Sequence, residues 1–284
     1  MAEKSKYTFS GHESFSCKAL WLKKGYDFMK NNNDFNSADA VIHLGVGKNM
    51  VAAIKFWMKA FGISNEDGTL NFIGDYIFDD NNGKDKYIED IATLWLLHYL
   101  IVTSKIASLY NFFFCGLQKE LIFFTKDQVS KYVITRFAEM GMGKSINNAT
   151  LEKDISVLLS NYAPPRKAKS NEDFSSLLLD LELIKPNGTG QGYFFNIEGK
   201  RSVPIEIFMY ALTDFKTDDT IPYEVVKECV GLPFCMTDGE LISMLKQVSQ
   251  KYSNYVAYTD NSGIRQIQFI NQPQAIQFLD EYYG

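Results

Sequence analysis

Apolar residues recur along this chain at helical spacing, in short blocks separated by glycine, proline and polar turn clusters. The most informative block runs from Asn36 to Phe72. It predicts an apolar-patterned helix from Ala38 to Leu44, a tight turn at Gly45-Val46-Gly47, a second helix from Lys48 to Phe61, and an Asp67-Gly68 turn between two short apolar runs. At about 100° per residue, Met50, Val51, Ile54, Trp57, Met58 and Phe61 fall within one arc of roughly 120°. Lys48, Ala52, Lys55 and Lys59, spaced i, i+4, i+7 and i+11, share another face, with Asn49 at its edge.

This order of elements resembles a winged helix-turn-helix, in which the second helix enters the major groove. Lysines there reach phosphates or guanine, and an asparagine can bond adenine bidentately. Lys48, Asn49, Lys55 and Lys59 are therefore the candidate DNA-contacting residues. Two blander readings compete. The lysines could be a solvated face on a packed helix, and winged helices also serve as protein-binding modules, since fold alone does not fix function.

Elsewhere the pattern supplies further elements. Ser10-Gly-His-Glu13 has capping-box spacing and predicts a helix through Phe15, Ala19 and Leu22 that stops near Gly25. The cap accounts for Glu13, and adjacent helical residues such as His12 and Glu13 point apart, so no acid-base pair is assigned. A helix is expected over Tyr87 to Tyr99, with Glu89 and Asp90 at its positive end and His98 in the core. Thr125-Lys-Asp-Gln128 repeats the capping box ahead of Val129, Tyr132, Val133 and Phe137. Leu151, Ile155, Leu158, Leu159 and Tyr162 then make another apolar stripe, with Lys153 on a polar side, so a second helix-turn-helix-like pair is expected. Between the two, Gly141-Met-Gly-Lys-Ser145 lacks the first glycine of a phosphate-binding loop, because Ala138 stands there.

Pro164-Pro165, followed by Arg166, Lys167 and Lys169, reads as a linker. Beyond it come a helix from Phe174 to Ile184, a turn at Asn187-Gly188, a strand from Gly192 to Ile197 and a helix from Pro204 to Leu212. A third capping box, Thr237-Asp-Gly-Glu240, precedes Leu241, Met244, Leu245 and Val248. Val256 to Tyr258 and Ile264 to Phe269 then alternate as a hairpin. The expected fold is mainly α with small β-hairpins, built from several winged-helix or helix-turn-helix-like modules. Its expected divisions are an N-terminal winged-helix-like module (1–84), a helical middle (85–165) and a C-terminal α+β, winged-helix-like module (166–284).

Composition narrows the function. With 284 residues, 46% of them hydrophobic, the chain can bury two or three small cores. A formal charge of -5 opposes a general polyanion-binding surface, so any nucleic-acid site must be local. Charge is indeed uneven: Met1 to Ala60 has nine lysines against five acidic residues, and Phe61 to Asp90 has two against eight. Cys17, Cys115, Cys229 and Cys235 are scattered without metal-site or secretory spacing, and His12, His43 and His98 are too far apart for a zinc motif. The N-terminus lacks a signal-peptide pattern, and the greasy stretch from Ile91 to Phe124, interrupted by Lys105, is too short between charges for a membrane span. A cytoplasmic protein with no cofactor, no metal and no membrane association is expected.

Four motifs carry a family resemblance: Phe9-Ser-Gly-His-Glu-Ser-Phe15, Trp21-Leu-Lys-Lys-Gly25, Leu44-Gly-Val-Gly-Lys-Asn-Met-Val51 and Glu89-Asp-Ile-Ala-Thr-Leu-Trp-Leu-Leu-His98. With Ser176-Leu-Leu-Leu-Asp-Leu-Glu-Leu-Ile184, Gly263-Ile-Arg265 and Tyr282-Tyr283, the chain resembles the bacterial domain-of-unknown-function family 4007 over most of its length. The resemblance implies work beside DNA phosphorothioation or phage-defence genes, with sulfur-transfer or restriction enzymes of the same cluster as partners. It brings no catalytic residues. Two functions are thus expected: a non-enzymatic component that binds or targets double-stranded DNA, and, as the alternative, a scaffold that docks partner enzymes without touching DNA. No hydrolase, metalloprotease or nucleotide-loop motif favours an enzyme.

Overall fold

A computed structural model describes residues 7–104, 106–142, 146–165, 175–188, 190, 192–199, 202–261 and 263–284. The protein is mainly α-helical with two small three-stranded antiparallel sheets, and it divides into two compact units, residues 1–196 and 197–284.

The first unit opens with α1 (Trp21–Lys30), α2 (Ala40–Leu44) and α3 (Lys48–Ala60). Gly45, in the left-handed region at φ 61°, caps α2 and turns the chain into α3. The predicted apolar arc of α3 is the buried one: Ile54, Trp57, Met58 and Phe61 are fully enclosed and Val51 nearly so. α1 approaches this arc so closely at Gly25 that a Cβ there would sit 2.6 Å from Met58 Sδ. Gly25 is therefore a packing position inside α1 and does not end it. After α3 the expected hairpin reduces to one bridge, Ser64 to Leu70, and the following apolar run continues as α4 (Phe72–Phe78), capped by Asn71.

α5 (Ile91–Thr103) is capped by Asp90, which accepts from Ala92 N at 2.8 Å. Every residue from Ala92 to Tyr99 is buried, as expected of a helix that is apolar on all sides. His98 is enclosed, with Nδ1 2.7 Å from the Tyr162 hydroxyl. No single helix among the described residues is long and apolar enough to cross a membrane.

From Ser108 the unit follows a definite order. α6 (Ser108–Asn111) runs through a π-helical stretch, Phe112–Leu117, into α7 (Gln118–Glu120). β1 (Phe123–Phe124), α8 (Lys126–Glu139), α9 (Asn148–Tyr162), β2 (Ile184–Pro186) and β3 (Tyr193–Phe195) follow, and the sheet order is β1-β3-β2. The Thr125 capping box is present in both halves: Gln128 N donates to Thr125 Oγ1, and Thr125 N donates to Gln128 Oε1. The region expected as a helix up to Ile184 is different. Ser176 bridges Lys18, Leu177 N donates to Cys17 O, and Glu182 at φ 48° ends a single 3-10 turn, so the backbone donors serve other partners. Its first residue, Phe174, lies outside the described residues, as do positions 143–145 and the cations of the expected linker.

The second unit repeats the order. α10 (Ile205–Asp214), with Pro204 at its N-cap, leads to β4 (Thr220–Pro222), α11 (Tyr223–Val226), α12 (Asp238–Lys251), β5 (Val256–Asn261) and β6 (Ile264–Phe269), with sheet order β4-β6-β5. α13 (Ile276–Tyr283) closes the chain against α10. The Thr237 capping box is again complete. The segments 1–84 and 85–165, separate on the sequence pattern, share one compact unit, because the chain before α1 is bonded to α9.

Candidate nucleic-acid interface

The Gly45-Val46-Gly47 turn and the first residues of α3 form an exposed tip. Lys48 and Asn49 are both exposed there, at the end of α3 where amide donors lack helical partners and the helix dipole is positive. Lys55 and Lys59 lie about 10 and 16 Å further along the helix at 1.5 Å per residue. They are half-buried: Lys55 Nζ donates to Asn36 Oδ1 at 2.8 Å, and Lys59 Nζ to the Glu66 carbonyl at 2.7 Å. The lysine face is real but divided, with a free tip and a more enclosed half.

Three carboxylates of the acidic stretch from Phe61 to Asp90, those of Asp75, Asp79 and Asp80, turn toward α1. Lys23 pairs with Asp27 at 2.6 Å and Asp80 at 3.0 Å, and Lys30 pairs with Asp75 at 2.6 Å and Asp79 at 3.5 Å. The Lys30 ammonium, helped by the Tyr26 hydroxyl, holds the Asp75 carboxyl below the usual range. Burial, with the bond to Asp75, pushes the Tyr26 phenol up to about 12. Among the described residues, Lys48, Lys55 and Lys59 have no carboxylate partner within ion-pair distance.

Lys55 and Lys59 also wall an open cleft of about 530 Å³, lined elsewhere by Met29 and Lys30 of α1, by residues 32–36, and by Ser64 and residues 67–70 of the following turn. Asp34 and Asp67 lie in its lining, but each is engaged by its own loop. Asp34 Oδ1 accepts from Asn36 N and Nδ2 at 2.9 and 3.0 Å, and Asp67 Oδ1 accepts from Thr69 N and Oγ1 at 2.9 and 2.7 Å. The Thr69 donors hold the Asp67 carboxyl below its ordinary value.

The two later helix pairs present different faces. On α9, Asp154 and Asn161 are buried and hold the chain's own N-terminal segment. Asp154 accepts from Ser10 N at 2.8 Å and faces His12 Nε2 at 3.0 Å, while Ser14 N donates to His12 Nδ1 at 3.2 Å, which leaves the ring proton on Nε2. Asn161 Oδ1 accepts from Cys17 N at 2.9 Å, and its amide donates to the Tyr110 hydroxyl. His12 stacks on Trp57 at 5.8 Å. The predicted Ser10 capping box does not form: Ser10, Gly11, Glu13 and Ser14 all have positive φ, and α1 begins at Trp21. The long-range bond to Asp154 draws Ser10 N away from a local cap. Of the three helix pairs, the one in the second unit sits in the most acidic surroundings. Residues 197–284 hold seven of the 29 Lys and Arg but twelve of the 34 Asp and Glu, which is the whole net charge of -5. Among the described residues no group of three or more His, Cys, Asp or Glu could hold a metal ion.

Asp154 and Asn161 are the polar residues that sequence reasoning missed. Their spacing of seven on one face of an otherwise apolar stripe was the available signal.

The fold and this face define a mainly α-helical protein with a repeated order of helices and strands and a local lysine surface. The profile of the family "Protein of unknown function (DUF4007)" matches residues 9–283, so the chain belongs to that family. Two solved structures share the fold at a TM-score of 0.86, each covering 98% of this chain and 88% of the other: a magnesium ion-bound SspB at 24% identity and an SspB at 23%. No curated protein matches the chain.

Proposed function

We propose that this protein is a non-enzymatic DNA-binding or targeting component of a bacterial DNA-modification or phage-defence system, acting in the cytoplasm through the α2–α3 tip. The observation that carries the reading is the exposed pair Lys48 and Asn49, leading a lysine face without carboxylate partners at ion-pair distance among the described residues, while Asp75, Asp79 and Asp80 pair with α1. In a helix-turn-helix those are the positions that approach bases and phosphates. The orders α6-β1-α8-α9-β2-β3 and α10-β4-α11-α12-β5-β6, each with its first strand beside its third, support a winged-helix reading. We read both segments as winged-helix modules, with α2–α3 as a helix-turn-helix whose wing is reduced to one bridge.

Anisotropy with a labelled duplex at low salt tests this. Lys48→Glu, Lys55→Glu and Lys59→Glu combined should abolish binding while circular dichroism stays unchanged, and Asn49→Ala should alter preference among sequences. A folded triple variant that binds like the parent removes the reading. A second function has its own support: α9 is covered by the chain's own segment, and the second unit is acidic, which suits docking of sulfur-transfer or restriction enzymes without DNA contact. Copurification of such an enzyme without nucleic acid would favour that scaffold.

A further inference from the structure

We infer that the cleft walled by Lys55 and Lys59 is a binding site for a nucleoside phosphate, separate from the duplex-facing tip. Its volume of about 530 Å³ falls in the ~300–1,000 Å³ range of small-ligand sites. Each lysine spends one donor on a neutral acceptor, Asn36 Oδ1 or the Glu66 carbonyl, and keeps its other N–H groups for an anion. A bare phosphate is not the best fit, because Asp34 and Asp67 share the lining. Each carboxylate receives its loop's donors on Oδ1 alone, and Oδ2 of both is left as an acceptor. A ligand that is anionic at one end and carries N–H donors at the other satisfies both sets. A nucleotide with an amino- or imino-bearing base, such as guanine, is that ligand. Phe35, half-buried against Phe28 with ring centroids 4.8 Å apart, gives the lining an aromatic body for base contact.

Nucleotide binding in the cleft does not require duplex binding at the tip. The nucleotide could be free or belong to a bound strand, and the two sources share the same chemistry. Calorimetric titration of the full chain with GMP, guanosine and inorganic phosphate should show GMP binding more tightly than either fragment. Lys59→Ala should weaken GMP about tenfold, as expected for loss of one charge-assisted bond. Asp67→Asn should weaken GMP and leave phosphate unaffected or slightly improved. Stronger displacement of GMP by a duplex with one unpaired guanine than by an intact duplex assigns the nucleotide to a bound strand, and equal displacement by both, or none by either, assigns it to the free pool. The inference is overturned if GMP does not bind at millimolar concentration, if phosphate alone binds as well as GMP, or if both folded variants bind like the parent. Lys48→Glu lies outside the cleft and tests the duplex reading alone, so the two can fail separately.

Discussion

α9 and α12 occupy the same place in the same order of helices and strands, yet they are used differently. α9 buries Asp154 and Asn161 and holds residues 10–17 with them. α12 buries only apolar groups, Leu241, Met244, Leu245 and Val248, and leaves Ser243, Lys246 and Gln247 in solvent. One topology therefore supplies an internal fastening in the first unit and an open helix in the second. The difference lies in two polar side chains, which shows how little of a module's use is set by its topology.

The largest effect should come from breaking the fastening. Asp154→Ala strands the buried His12 N–H, and Asn161→Ala strands the buried Cys17 N–H and the Tyr110 hydroxyl, each costing about 1–3 kcal/mol of stability in urea unfolding. Lys246→Ala on α12 should stay within about 0.5 kcal/mol. Equal losses at the two helices would erase the contrast.

The caps should behave alike, because both modules use the same device. Thr125→Ala and Thr237→Ala each remove a complete capping box and should cost about 1 kcal/mol. A much larger loss at one site would mean that its cap also serves tertiary packing.

Acid should produce the smallest effect. Lys227 at 2.8 Å and the Tyr223 hydroxyl at 2.7 Å hold the Asp238 carboxyl at the start of α12 below its ordinary value. A depressed carboxyl stabilises the fold above its unfolded value near 3.9, and that contribution is lost as the pH falls from there through the lower folded value. With an exposed carboxylate the effect is below about 1 kcal/mol, and Asp238→Asn should flatten the acid limb of the melting profile by that amount.

The sequence made local features plain and hid distant ones. The arc of Ile54, Trp57, Met58 and Phe61 and the boxes at Thr125 and Thr237 follow from spacing within a few residues. Ser10-Gly-His-Glu13 carries the same local pattern but folds otherwise, because its partner, Asp154, lies 144 residues away. The leucine-rich run before Ile184 reads as a helix, and a pairing with Cys17 and Lys18 overrides it. At the candidate interface the lysine spacing on α3 was legible. That Asp75, Asp79 and Asp80 would turn to Lys23 and Lys30 was not, since nothing in the sequence fixes which lysines an acidic segment meets.

The proposed DNA face is α3, and neither α9 nor α12. Duplex affinity measured against salt for Lys48→Ala, Lys153→Ala and Lys246→Ala, one exposed lysine from each helix, tests it directly. Lys48→Ala should lower the salt slope by about one, and the other two should keep the parent's slope. An unchanged slope for Lys48→Ala, with a reduced one for Lys153→Ala or Lys246→Ala, would contradict it.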